Sequence, residues 1–299
     1  MKRILIFLAV TFALTWTFWG VAVSGPVATG IPVATQLLVG LGMFCPMIGA
    51  VVTWFILRKK QPFSLYIRPK LRGNGRFYLF AWLAPTALAL CGAALYFLVF
   101  RQQFDPQMGY LRETAGAAGI RLSIAQLRTS ALIQCIVGVF VGPLLNILAG
   151  FGEEVGWRGL LYPALREKLP PVGTCLVGGV IWGLWHAPIT MRGHNYGFGY
   201  PGFPVAGILT MCVFCFALGT LLFWLSEKTR SVWPAALMHG AVNAIVGAPL
   251  LVLPSAETGS RLLGPSVSGL LAGLPILLLA MVLLWKSRSG SVGKMVKKS

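Results

Sequence analysis

The sequence predicts an all-α membrane protein, a polytopic bundle of about eight transmembrane helices. Three observations lead there. Of 299 residues, 57% are hydrophobic and 11% charged, against roughly 25% charged in soluble domains. Several apolar runs approach or exceed the roughly 20 residues that cross a bilayer. The runs are continuous rather than alternating over about ten residues, so helices and not a closed β-barrel are expected to satisfy the backbone in lipid.

The spans are expected near residues 4–24, 34–57, 77–100, 130–168, 172–190, 204–226, 232–253 and 265–285. The first follows Met1-Lys2-Arg3 and stays apolar to Val23. That is longer than the roughly 7–15 apolar residues of a signal peptide and lacks a small-x-small cleavage site, so an uncleaved span is expected. The second stops at Arg58-Lys59-Lys60, and the third follows a basic loop. Residues 101–129 form the longest external loop, with a short helix expected near Ile124–Thr129. The fourth run is longer than a membrane and is stopped by Pro170-Pro171, after which the fifth begins. Lys228 and Arg230 separate the sixth from the seventh, and a Lys-rich tail, expected to touch anionic lipid, follows the eighth. The chain reads as one integral membrane domain, 1–299, in which 130–250 carries the motifs.

The connections alternate in charge. One side holds Lys2 and Arg3, the 58–76 loop, Arg166 and Lys168, Lys228 and Arg230, and the tail with Lys286, Arg288, Lys294, Lys297 and Lys298. The other holds Arg101, Arg112, Arg121, Arg128, Arg192 and Arg261 in longer or more polar loops. The positive-inside bias then makes both termini cytoplasmic, which an even number of spans allows. A bacterial or archaeal plasma membrane is the expected location. The net charge of +18 is distributed over short loops and forms no basic domain, which excludes nucleic acid as a partner. Cys45, Cys91, Cys135, Cys175, Cys212 and Cys215 all fall in apolar runs and read as small hydrophobic filler. Cys212 and Cys215 have CxxC spacing without the second pair that a zinc site needs.

Two of the seven acidic residues, Glu153 and Glu154, are adjacent inside an apolar run. Charged groups at membrane depth cost at least a few kcal/mol and mark function or a partner. Glu154 and Arg158 are four apart and can pair along one helix face. Glu153 points about 100° away, with no obvious basic neighbour, as suits a desolvated general base. His186 ends the run Trp182-Gly183-Leu184-Trp185-His186, and His239 and Asn243 are spaced to share a helix face. Glu153 and His186 lie equally far from the double proline, each roughly 22 Å along its helix, so a hairpin brings them to one depth. His239 and Asn243 are expected on the opposite wall of the same cavity. The third histidine, His194, reads as a solvated loop residue.

Glu153-Glu154-x-x-x-Arg158, Trp182-x-x-x-His186 and His239-x-x-x-Asn243, in that order, resemble the CPBP group of intramembrane proteases. The group includes type II CAAX prenyl endopeptidases and bacteriocin-processing or immunity relatives. Gly156-Trp157-Arg158-Gly159 and Trp185-His186-Ala187-Pro188 are similar to bacterial members. Trp182 stands where eukaryotic-type members more often have Phe, a departure expected to bear on packing rather than proton transfer. The resemblance implies an eight-helix bundle with a conical cavity open to the cytosol. It implies that Glu153 and His186 activate water and that His239 and Asn243 stabilise the oxyanion, with Glu154 and Arg158 orienting the site. The substrate would be a membrane-associated peptide or protein, and the other partners membrane lipids. Glu153, His186 and His239 are an alternative set of zinc ligands. No HExxH helix is present, however, and a metal-bound Glu153 would leave the base to be found elsewhere, so no cofactor is favoured. The competing function is a catalytically silent scaffold or bacteriocin-immunity protein on the same fold. A transporter is disfavoured because the polar residues do not fall in two matching halves.

Overall fold

Prolines and small residues decide where the helices of this chain stop and how closely they approach. A computed structural model describes residues 1–24, 33–255 and 260–296; Lys297 and Lys298 of the basic tail lie outside the described residues. In chain order the helices are α1 (Lys2–Val23), α2 (Val33–Gly42), α3 (Cys45–Leu57), α4 (Gly75–Val99), α5 (Gly109–Ala117), α6 (Ile124–Phe140) and α7 (Gly142–Gly156). They continue with α8 (Tyr162–Arg166), α9 (Pro171–Trp185), α10 (Ala187–Thr190), α11 (Val205–Thr229), α12 (Trp233–Ile245) and α13 (Leu274–Val296). The described residues include no strand, and the all-helical membrane class is as expected.

The exact count of eight spans is not confirmed. Among the described residues, five segments are long and apolar enough to cross a membrane: Lys2–Ala22, Gln36–Leu57, Gly75–Val99, Val205–Thr229 and Trp233–Val252. A sixth results if α6 and the following 142–166 segment are one span bent by 50°. The bend falls at Gly142-Pro143, where proline has no N–H to continue α6 but can open α7. Helix α6 itself begins within the loop, at a capping box between Ser123 and Gln126, so the short helix expected at 124–129 is the first turns of α6. The fifth run is shorter than expected: α9 ends at Trp185, and Pro188 in the next turn cannot donate back to it. The last apolar helix starts at Leu274, later than the expected 265.

Helix α7 packs on α12, and α9 on α11. Both contacts are backbone-close because small residues face each other, the usual device of membrane bundles. A Cβ on Gly150 would stand 2.7 Å from the Ala236 carbonyl oxygen, and one on Gly240 3.0 Å from that of Pro143. A Cβ on Gly183 would stand 2.5 Å from Cα of Cys212. These approaches carry His239 against Glu153 and Glu154, and fix Trp182 and His186 beside α11.

Gly150→Val is therefore expected to lower the thermal midpoint of the detergent-purified protein by the equivalent of about 1–3 kcal/mol, the usual range for overpacking. Gly20→Ala, where an added Cβ meets nothing within 4 Å, is the matched control and should leave the midpoint in place.

Candidate active site

Glu153 and Glu154 occupy the last turn of α7, where Glu153 is 2% exposed and Glu154 fully buried. The next five residues, Trp157–Leu161, form a π-helical turn, a local widening that recurs at functional sites. Two adjacent carboxylates point in different directions and find different partners.

Glu154 faces the cations. Its Oε1 accepts from Arg158 Nη1 at 2.9 Å and from His239 Nδ1 at 2.8 Å. Arg158 is fully buried, and its Cζ lies 4.3 Å from the Trp182 ring centroid and 4.8 Å from that of Tyr162. The guanidinium thus has one ionic partner and two π faces, which suits its planar, weakly hydrated charge.

Glu153 faces indoles. Its Oε2 accepts from Nε1 of Trp182 at 2.8 Å and from Nε1 of Trp157 at 3.1 Å. Its Oε1 stands 3.8 Å from Nε2 of His239. The basic neighbour that sequence spacing did not supply comes from another helix, and His239 bridges both glutamates rather than facing them from an opposite wall. Trp182 also corrects an expectation. Its substitution for Phe concerns the carboxylate directly, because phenylalanine has no N–H to offer Oε2. The i,i+4 spacing of Glu153 and Trp157 was the sequence signal for the second donor.

His186 caps α9, half-buried. Its Nδ1 donates to the Trp182 carbonyl at 2.8 Å, an assignment that leaves Nε2 with a lone pair in the neutral ring. Trp182 thereby touches Glu153 through its side chain and His186 through its backbone. Trp185 keeps the cap in place: its Nε1 donates to Thr15 Oγ1 at 2.9 Å and its ring lies 4.4 Å from that of Trp19.

Glu153, His186, His239 and Asn243 all line one cavity of about 210 Å³. Asn243, one turn beyond His239, is exposed into it. His194 and Asn195, from the loop after α10, line it too; His194 is exposed, as a loop residue should be, yet belongs to this wall. Cys215 also contributes, with Sγ 3.9 Å from His186 Nδ1. Among the described residues no three histidine, cysteine, aspartate or glutamate side chains are arranged to hold a metal ion. Glu153 Oε2 is engaged by two indoles, His186 Nδ1 by a carbonyl and His239 Nδ1 by Glu154, which leaves Glu153 Oε1 and the Nε2 atoms of both histidines for other partners.

Comparison with known proteins bears on the same segment. Residues 136–245 match the family model described as type II CAAX prenyl endopeptidase Rce1-like. A 100-residue stretch, 33% of the chain, is 26% identical to CAAX prenyl protease 2 of Methanococcus maripaludis. The chain spans 37% of the length of that relative. The resemblance carried by the three motifs is borne out over that segment.

The two kinds of ion pair predict different costs. Glu154→Ala leaves Arg158 and His239 Nδ1 without their carboxylate and is expected to destabilise the purified protein by roughly 3–5 kcal/mol, read as a fall in thermal midpoint. Glu227→Ala removes an exposed pair with Arg230, 4.0 Å apart, and should change the midpoint little, as surface pairs do.

Proposed function

We propose, from an Rce1-like segment whose polar side chains share one cavity, that the protein is an intramembrane endopeptidase acting on a membrane-associated peptide or protein. The single observation that carries the reading is the pairing of two differently held carboxylates. One is neutralised by Arg158 and His239; the other keeps Oε1 free of any donor closer than His239 Nε2 at 3.8 Å.

In this reading a water molecule sits between Glu153 Oε1 and His186 Nε2. Glu153 takes one of its protons as the oxygen attacks the scissile carbonyl carbon, and His186 orients the other. Negative charge develops on the carbonyl oxygen. Asn243 donates to it from its amide, and His239 donates from Nε2 when that nitrogen carries a proton, which is oxyanion stabilisation by preplaced dipoles. The tetrahedral intermediate collapses with cleavage of the C–N bond, and the proton held by Glu153 passes to the departing amine nitrogen. Trp182 and Trp157 act as positioning residues: by occupying Oε2 they direct Oε1 toward the water.

Proteomic comparison of membranes carrying wild-type protein or Glu153→Gln tests the function. Cleavage products present only with the wild type are expected, with equal membrane insertion of both. Products that persist with Glu153→Gln would remove Glu153 from the base role, and no difference from an empty membrane would leave the silent-scaffold reading. Trp182→Phe keeps the ring and removes one hydrogen bond to a charged group, about 1.5–3 kcal/mol. If that energy positions the base, kcat falls roughly tenfold to a hundredfold with KM nearly unchanged; a purely structural role would instead lower the thermal midpoint and leave kcat per folded molecule intact. For the cofactor, activity should survive a strong chelator after purification. Activity restored only by added zinc would require a metal mechanism.

A further inference from the structure

We propose that the cavity opens on the cation-poor face of the molecule, so that its substrate is a peptide segment presented on the extracytoplasmic side of the membrane. The hydrolytic part of this statement rests on the function proposed above; the direction of opening does not.

Contacts between distant segments define the two faces. Arg3 pairs with Glu167 at 2.6 Å and lies 5.0 Å from the Phe63 ring centroid. Ser231 Oγ donates to the Arg68 carbonyl at 2.9 Å, and the Val232 N–H to that of Tyr66 at 3.0 Å. The start of α1, the 58–74 loop, the end of α8 and the α11–α12 junction therefore share one face. That face carries Arg58, Lys59, Lys60, Arg68, Lys70 and Arg72 in a single loop without an acid among them. On the other face the Asp105 N–H donates to the Val252 carbonyl at 2.8 Å, and the Tyr196 hydroxyl to that of Ser268 at 3.0 Å. The 101–123, 191–204, 248–255 and 260–270 segments meet there, and their arginines are scattered and accompanied by Asp105 and Glu113. Lysine and arginine in short loops orient membrane proteins with the richer side in the cytoplasm.

The cavity reaches only one of these faces. His194 and Asn195 belong to the 191–204 loop, Ile189 to the short helix that enters it, and Trp19 to the last turns of α1. No lining residue comes from the 58–74 loop, the α8–α9 turn or the α11–α12 junction. On that side the structure is filled: Arg158, Leu161, Tyr162 and Val232 are fully buried, and a Cβ on Gly159 would stand 2.6 Å from the Leu65 carbonyl oxygen. Glu153, His186, His239 and Asn243 share the cavity lining with the apolar Met43, Met211, Phe214, Leu218 and Val246. Such a site takes an extended peptide with an apolar side chain next to the scissile bond. The direction is opposite to the cytosolic opening that the resemblance implies.

Thiol accessibility decides the direction. Asn243→Cys and Asn195→Cys place reporters at two depths of the cavity, and exposed Gln61→Cys reports the basic face. Sealed right-side-out spheroplasts and inside-out vesicles are treated with a membrane-impermeant methanethiosulfonate, the parent protein with its own cysteines serving as background. Both cavity reporters are expected to label several-fold above the parent in spheroplasts, and in inside-out vesicles only after detergent; Gln61→Cys should show the reverse. Cavity reporters that label from the Gln61 side, or from neither side before detergent, overturn the proposal. Asn195→Cys and Gln61→Cys lie outside the catalytic quartet and keep the test decisive if Asn243→Cys does not fold. Comparison of protein N-termini between cells with wild type and Glu153→Gln addresses the substrate. New termini confined to extracytoplasmic segments support the proposal and termini confined to cytosolic segments overturn it. Absence of any new terminus sinks the hydrolase reading instead, while the labelling pattern still reports the opening.

Discussion

Two neighbouring carboxylates buried in one helical turn cannot be satisfied in the same way, and the rest of the site follows from that constraint. Adjacent side chains on a helix diverge by about 100°, so the partners must come from different directions. For Glu154 they are Arg158, one turn on, and His239 from α12. For Glu153 they are two indoles, one a turn on and one from α9. A guanidinium and an imidazole nitrogen hold the first; two neutral indole N–H groups hold the second. His239 lies between the two groups, 2.8 Å from Glu154 Oε1 and 3.8 Å from Glu153 Oε1.

That arrangement depends on helix contacts too close for ordinary side chains. His239 reaches the end of α7 because α7 and α12 meet at Gly150, Ala236 and Gly240. Trp182 reaches Glu153 because α9 lies against α11 through Gly183. In lipid the apolar effect does not drive such association, and van der Waals packing of small residues takes its place. The small residues of these helices therefore belong to the chemistry of the site as much as its polar residues do.

Much of this was legible in the sequence, for reasons that also explain what was not. Membrane class follows from composition, and the Glu154–Arg158 pair follows from a spacing of four within a helix. The sharing of depth by Glu153 and His186 follows from their equal distance to Pro170-Pro171. Long-range partners were not legible. Nothing local to His239 says that its Nδ1 will meet Glu154, or that a Trp in place of Phe will donate to a carboxylate 29 residues away. Hydropathy also counts runs and not helices. Gly142-Pro143 and Pro188 interrupt two runs without making them less apolar, so among the described residues the apolar stretches become five long spans, one bent pair and two shorter apolar helices, Pro171–Trp185 and Leu274–Ser287. The loop residues His194 and Asn195 gave no sign that their segment would fold against the cavity.

Two of the three motifs coincide with a place where regular helix stops. The glutamates precede a π-helical turn and His186 is the cap of α9, whereas His239 and Asn243 lie within α12. In hydrocarbon an irregular backbone is tolerated only where it is buried in protein or lines a water-accessible cavity. Here both conditions are met. The π-turn residues are fully buried against aromatic rings, and the end of α9 borders the cavity through Trp185, His186 and Ile189. The short helices thus suit the proposed hydrolytic site. A full-length α9 would bury the carbonyl of Trp182 in an ordinary helical bond and carry its terminal groups away from mid-membrane. Ending it at Trp185 leaves that carbonyl to hold His186 Nδ1 and brings the following loop down to the site, where water and an extended peptide can meet the carboxylate.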